Sequence, residues 1–439
     1  MTTGVFLTSV FCPLRLWLGG SVERTDVLIV GGGIVGLATG MALAEEARLA
    51  VTVVETEAEV ARHQTGHNSG VIHSGLYYKP GSAKARNCAD GCERMYRFCA
   101  DNGVPHDRCG KLVVATSESE LPALAELERR GTANGLVGLK RLSVSEMREV
   151  EPHVAGVAGL RVAETGIVNY TAVSKVYAAK IAAAGGTVRT GTKFLGCKRE
   201  ADGLVVETTA GTIGAKLLIN CGGLHSDRVA KACGVDPGVR IVPFRGEYYE
   251  LKPHAAGLCK HLIYPVPDAR LPFLGVHYTR MIGGGVECGP NAVLAFKREG
   301  YRLRDVSLRD LWEYARDPAF WKMARTFWWT GLGEMYRSAS RRAFWHALRK
   351  LIPEVKFGDL VPAGAGVRAQ AVRPDGKLED DFFIRRAERM VHVLNAPSPA
   401  ATASISIGRS VADLALAELG RPPLREAAPP AFFTPARAA

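Results

Sequence analysis

The hydrophobic pattern is clearest between residues 26 and 55. After Asp26, the run Val27-Leu28-Ile29-Val30 is unbroken and apolar, as expected of a strand buried on both faces of a parallel sheet. Residues 34–46 are small and apolar without a proline and predict a helix, and Val51-Thr52-Val53-Val54 predicts a second buried strand that ends in Glu55. Residues 186–200, 203–209 and 212–219 alternate or run apolar, with turns at Asp202-Gly203 and Ala210-Gly211, so they read as strands. Asn220-Cys221-Gly222-Gly223 follows the last of them, and a helix is expected over 226–233. Residues 403–419 predict an apolar helix near the C-terminal end.

The first strand runs directly into Gly31-Gly32-Gly33-Ile34-Val35-Gly36. The spacing Gly31-x-Gly33-x-x-Gly36 is that of a dinucleotide diphosphate turn. Gly31 permits the sharp bend, Gly33 the close approach of backbone to pyrophosphate, and Gly36 the packing of helix against strand. Ile34 and Val35 open the helix whose free N–H groups face the diphosphate, and Glu55 is placed to accept the ribose hydroxyls. A nicotinamide or a flavin dinucleotide satisfies this motif. The stretch from His63 to Gly75, with Thr65, Asn68, Ser69 and Gly70, favours FAD: it is long, polar and glycine-rich where a simple Rossmann domain begins another helix.

Composition narrows the class. The chain has 439 residues, 47% of them hydrophobic, enough for two joined domains. A net charge of +12 favours an anionic partner without choosing among nucleic acid, an anionic membrane and a carboxylate substrate. The ten cysteines form no CxxC pairs, which argues against a metal site and for a reducing, cytoplasmic setting with most thiols buried. Residues 1–23 are apolar only in patches broken by Pro13 and Arg15, so a loosely attached extension is expected there rather than a signal peptide or spanning helix. Residues 420–439, rich in Pro and Ala, are expected to be a disordered tail.

From Asp26 to Gly408 the chain resembles the D-amino-acid-oxidase-like FAD-dependent oxidoreductases, and within them the members that oxidise L-2-hydroxyglutarate. The resemblance is carried by the stretches HNSGVIHSGLYY (67–78), GSAKA (81–85), PFRGEYY (243–249), LIYPVP (262–267), GPNA (289–292), FKREGY (296–301), GEMYR (333–337) and NAPSPAAT (395–402). It implies an α/β + β fold: a Rossmann-type FAD-binding domain (24–107, 166–239 and 357–419) interleaved with an antiparallel-sheet substrate domain (108–165 and 240–356) that carries a helical insertion. It further implies that Cys221, Gly222, Gly366, Val367 and Pro399-Ala400-Ala401-Thr402 pass close to the flavin, with a helix start aimed at the ring. The implied reaction converts L-2-hydroxyglutarate, a small dicarboxylate, to 2-oxoglutarate, with electrons passed to a quinone, a respiratory chain or oxygen. The L configuration comes from the resemblance alone.

Oxidising a 2-hydroxy acid requires a base for the hydroxyl proton, a Cα hydrogen facing the flavin and cations that hold the carboxylates. His73, in the polar loop, is the first candidate base and His277 the second; either can instead hydrogen-bond the cofactor or backbone. Arg245 is the expected carboxylate clamp, with Arg280 and Lys84 as further candidates. Tyr264 and Tyr278 can bond substrate or pack in the core, and Asn291 can orient a carboxylate or cap a turn.

Five of the six tryptophans (312, 321, 328, 329 and 345) crowd into one basic segment. Residues 301–350 therefore suit either a peripheral contact with the inner face of the cytoplasmic membrane or a helical insertion packed on the sheet. Related flavin chemistry on glycerol 3-phosphate or an amino acid remains an alternative. An RNA-modifying flavoprotein has only the net charge in its favour, since no aromatic RNA-binding module or basic low-complexity tail accompanies it.

Overall fold

The structure, a computed structural model, describes residues 23–267 and 275–424. The expectations for the N-terminal extension and for the tail beyond 424 lie outside the described residues.

The buried run at the start of the chain forms the strand Glu23–Val30 and lies in the middle of an eight-stranded sheet. It pairs in parallel with Val51–Val54 on one side and Gly211–Asn220 on the other. Val51–Val54 continues in parallel to Thr187–Arg189, and Gly211–Asn220 pairs with Met390–Asn395, so residues from both ends of the chain share one sheet. The helix Ile34–Glu45 is buried almost all round because the helix Ser404–Glu418 packs on it. Ile407, Val411 and Leu416 of the later helix enter the same core as Leu37 and Met41. Each such side chain contributes about 1.5–3 kcal/mol when removed from water.

A nine-stranded sheet forms the second layer system. It is largely antiparallel, as expected, but Lys111–Ala115 and Leu262–Pro265 run parallel within it. Its spine is the pair Arg240–Leu251 and Leu360–Val372, joined from Arg240↔Val372 to Leu251↔Leu360 with a register shift between Glu247 and Tyr249. This corrects the boundary drawn at 357, because residues 360–372 belong to the second sheet. Gly364 and Gly366 dilute the strand signal there, and only a long-range partner makes the segment extend. A small third sheet joins Val71–Ile72, Gly166–Val168 and His106–Asp107 and stitches the two systems together. The helices Leu308–Ala315, Pro318–Ala339 and Arg341–Arg349 form the helical insertion. The nine cysteines at positions 88–288 are all free.

Candidate active site

A cavity of about 880 Å³ runs between the two sheets. That is near the top of the range for small-ligand pockets, about 300–1,000 Å³. On the side of the first sheet it is lined by Gly31, Gly33, Ile34, Val35, Gly36, Glu55, Thr65, Asn68 and Ser69. Cys221, Gly222, Gly366, Val367 and Pro399 through Thr402 complete its walls. Gly70 sits behind the wall: its φ of 65° and its N–H, donated to Asn68 Oδ1 at 2.8 Å, turn the chain into Val71–Ile72.

The glycine turn fits a dinucleotide. A Cβ on Gly31 would lie 2.4 Å from the Cys221 carbonyl oxygen, and one on Gly36 would lie 2.2 Å from that of Gly31. A Cβ on Gly33 would meet only Thr65 Oγ1, at 3.6 Å, so that backbone is open to a close-lying diphosphate. Glu55, expected to face a ribose, has its two oxygens accepting the N–H groups of Gly32 (2.7 Å) and Glu57 (2.9 Å), which braces the turn. Thr65 Oγ1 accepts the Ile34 N–H at 3.1 Å and ties the polar loop to the helix start. Thr402 ties that loop to the far end of the chain. Its Oγ1 accepts the His73 N–H at 3.0 Å and is 2.9 Å from the Tyr170 hydroxyl.

On the side of the second sheet, side chains dominate. His73 and His277 both line the cavity, with Tyr248, Tyr264 and Arg368. His277 Nδ1 lies 2.8 Å from the Gly275 carbonyl. A carbonyl only accepts, so Nδ1 carries the proton and Nε2 is the acceptor nitrogen of the neutral ring. Tyr264 lies against the imidazole with ring centres 3.8 Å apart. Burial lowers His277 to about 4 and His73 to about 3, so both are neutral at physiological pH.

Four expected substrate contacts are not in the cavity wall. Arg245 and Glu247 point to one face of their strand and pair at 3.1 Å, while Phe244, Gly246 and Tyr248 point to the cavity. The alternation of strand side chains thus removes Arg245 as a clamp. Arg280 is paired with Asp107. Tyr278 donates to the Leu348 carbonyl at 3.1 Å in the core of the second sheet. Lys84 lies outside the wall, its ammonium pushed down by burial and then by the charge of Arg368. Asn291 does line the cavity, yet its Oδ1 accepts the Glu247 N–H at 2.7 Å and so braces the neighbouring strand. Sequence reasoning missed Arg368 as a cation of the wall on the side of the second sheet. The opposite charges at 245 and 247, two apart in a strand, were the signal that Arg245 was committed elsewhere.

The FKREGY stretch contributes Glu299 to the cavity wall. Arg298, 1% exposed, pairs with the equally buried Asp227, its Nη2 lying 2.9 Å from Oδ2. Glu299 accepts from His225 at 2.8 Å, and Tyr301 stacks on His67 with centroids 4.3 Å apart. The Tyr301 hydroxyl lies 3.1 Å from His63 Nδ1. Of the five clustered tryptophans, Trp345 packs against the second core, while Trp312, Trp321, Trp328 and Trp329 are exposed.

The FAD dependent oxidoreductase family model matches residues 26–414. An L-2-hydroxyglutarate dehydrogenase of Indibacter alkaliphilus is 50% identical over 393 residues, covering 89% of this chain and 98% of the relative. The Escherichia coli K12 enzyme of that name is 45% identical, with 88% and 92% covered, and the human mitochondrial one 43% identical, with 90% and 89% covered. Among solved structures, the fold is similar to L-alpha-glycerophosphate oxidase from Mycoplasma pneumoniae with FAD bound (TM-score 0.74, 24% identity, 94% of this chain and 98% of that one covered). Glycine oxidase from Geobacillus kaustophilus gives a TM-score of 0.70 at 19% identity, with 95% and 100% covered. With its glycine-turn cavity and these relatives, the chain belongs to the FAD-dependent oxidoreductases, in their L-2-hydroxyglutarate dehydrogenase branch.

Proposed function

We propose that this enzyme oxidises L-2-hydroxyglutarate to 2-oxoglutarate in the cavity between its two sheets, with His277 as the base. The carrying observation is the hydrogen bond that fixes Nδ1 of His277 as a donor and leaves Nε2 as acceptor on a cavity-lining ring. FAD, when bound along the glycine turn, supplies the hydride acceptor. His277 Nε2 takes the hydroxyl proton as the Cα hydrogen leaves. A bound dicarboxylate raises the proton affinity of the neutral imidazole by bringing negative charge beside it. Arg368 holds one carboxylate, Tyr264 fixes the plane of the imidazole, and His73 faces the substrate from the polar loop.

Anaerobic mixing of the yellow holoenzyme with each enantiomer of 2-hydroxyglutarate, glycerol 3-phosphate and a panel of amino acids tests the substrate. Only the L enantiomer is expected to bleach the flavin rapidly. His277→Asn is expected to lower kcat/KM by about 10²–10⁴-fold with FAD retained. A full rate in that variant, with loss in His73→Asn instead, moves the base to His73.

The electron acceptor on this reading is a membrane quinone, reached from the inner face of the cytoplasmic membrane. No described helix is long and apolar enough to cross a membrane. Support comes from the helical insertion, where Trp329 is 71% exposed, Trp328 stacks on it at 3.9 Å, and Leu332, Met335 and Tyr336 are exposed nearby. Arg316, Lys322, Arg325 and Arg342 are exposed on the same helices and suit anionic lipid. Co-sedimentation with vesicles containing anionic lipid, reduced in Trp328→Ser/Trp329→Ser, is expected; equal recovery in the supernatant for both proteins rejects the contact.

A further inference from the structure

A buried lysine lies against Tyr264, the ring that packs on His277, and nothing in the preceding chemistry uses it. Lys111 begins the strand Lys111–Ala115 and is only 2% exposed. Its Nζ sits 4.4 Å from the ring centre of Tyr77 and 5.1 Å from that of Tyr264, the tyrosine that packs tilted against His277. A buried ammonium is costly unless it is compensated, and the faces of two aromatic rings compensate a cation without neutralising it. The titratable groups turned toward it are His73 from the polar loop, His277 from the second sheet, Cys88 from the helix Ala83–Asp101, and the two tyrosines. Cys88 is a protonated thiol, its titration pushed up by burial, and its Sγ donates to the His73 carbonyl at 3.1 Å. Glu287 lies beyond Tyr264 and Tyr248 and is itself pushed up to about 7 by burial.

We propose that Lys111 is a positioning residue of the reaction: its buried cation, held on the faces of Tyr77 and Tyr264, acts across the Tyr264 ring on His277 and on the neighbouring His73 and sets how readily these imidazoles take up a proton. The inference rests on the reading of the histidines given above and names a charge that tunes them. A positive charge beside an imidazole disfavours imidazolium. Burial is the larger cause of the lowered titration of both rings, and the Lys111 charge acts in the same direction on each; at His277 it works against the Gly275 hydrogen bond. Lys111, pushed down to about 7 by burial, is still charged where the histidines take up protons, about 3 and 4, so the order of titration suits the role.

Two measurements on the FAD-loaded enzyme test it. The first is the rate of flavin reduction by L-2-hydroxyglutarate against pH in wild type, Lys111→Met and Lys111→Arg. The second is the NMR titration of selectively labelled histidines, which needs no turnover. In Lys111→Met the rising limb of the rate profile and the two buried imidazoles should move up by about one pH unit or more. Lys111→Arg, which keeps the charge, should return both toward wild type. Methionine of similar length fills the site, so a purely structural lysine predicts unmoved titrations and overturns the proposal. If wild type is not bleached by L-2-hydroxyglutarate, the substrate reading fails, and the imidazole titrations still decide the role of Lys111.

Discussion

The two sides of the cavity are built from different materials. The side that takes the dinucleotide is mostly backbone: glycine N–H groups, a helix start and carbonyls, braced by Glu55 and Thr65. The opposite side, where we propose that the hydroxy acid binds, is mostly side chains, His73, His277, Tyr264 and Arg368, brought in by four separate segments. A backbone cradle is intolerant of added bulk and indifferent to side-chain chemistry. A side-chain pocket is the reverse, and substitutions on the two sides should fail in different ways.

The largest effect is expected from Gly36→Val. Its branched side chain would begin 2.2 Å from the Gly31 carbonyl, and the purified protein should be colourless with no flavin absorbance. A yellow variant would break the contrast between the two sides. Arg298→Met should come next, because it strands the buried Asp227 charge; a loss of about 3–5 kcal/mol in denaturant unfolding is expected. Glu299→Gln sharpens the picture through pH. The hydrogen bond from His225 is the first cause that lowers Glu299 from 4.5 to about 2. A depressed carboxylate contributes stability above its unfolded value that is lost as pH falls through the folded one. The Tm gap between wild type and Glu299→Gln should therefore be full above pH 4.5 and close as pH approaches 2. The smallest effect belongs to Tyr278→Phe: about 1 kcal/mol from the lost bond to Leu348, with kcat and KM unchanged. A kinetic defect there would return Tyr278 to the site.

What was legible in the sequence follows the same division. The strand 23–30, the glycine turn, the helix 34–45 and Glu55 are contiguous, so their spacing alone fixes their geometry. The substrate side depends on which face of a strand each residue takes. Arg245 and Phe244 are neighbours, yet only Phe244 reaches the cavity, because the register with Leu360–Val372 sets the pleat. That partner strand contains Gly364 and Gly366 and carries little strand signal of its own. Tyr264 and Tyr278 looked alike as candidates and were separated only by the sheet that turns one to the cavity and the other to the core. Lys111 was invisible for a related reason: a charged residue opening an apolar strand reads as a solvated end, and burial by Tyr77 and Tyr264 comes from elsewhere in the chain.

The hydroxyl of Thr402 meets the backbone of residue 73 and the ring of residue 170, and the strand 390–395 completes the sheet begun at residue 23. During synthesis the ribosome delivers the glycine turn early, but one part of the cavity wall, residues 399–402, is among the last to emerge. An enzyme assembled in that order has no enclosed chamber to load until translation is nearly complete. Chains terminated before residue 390 should accumulate as colourless, protease-sensitive products rather than as partly active ones.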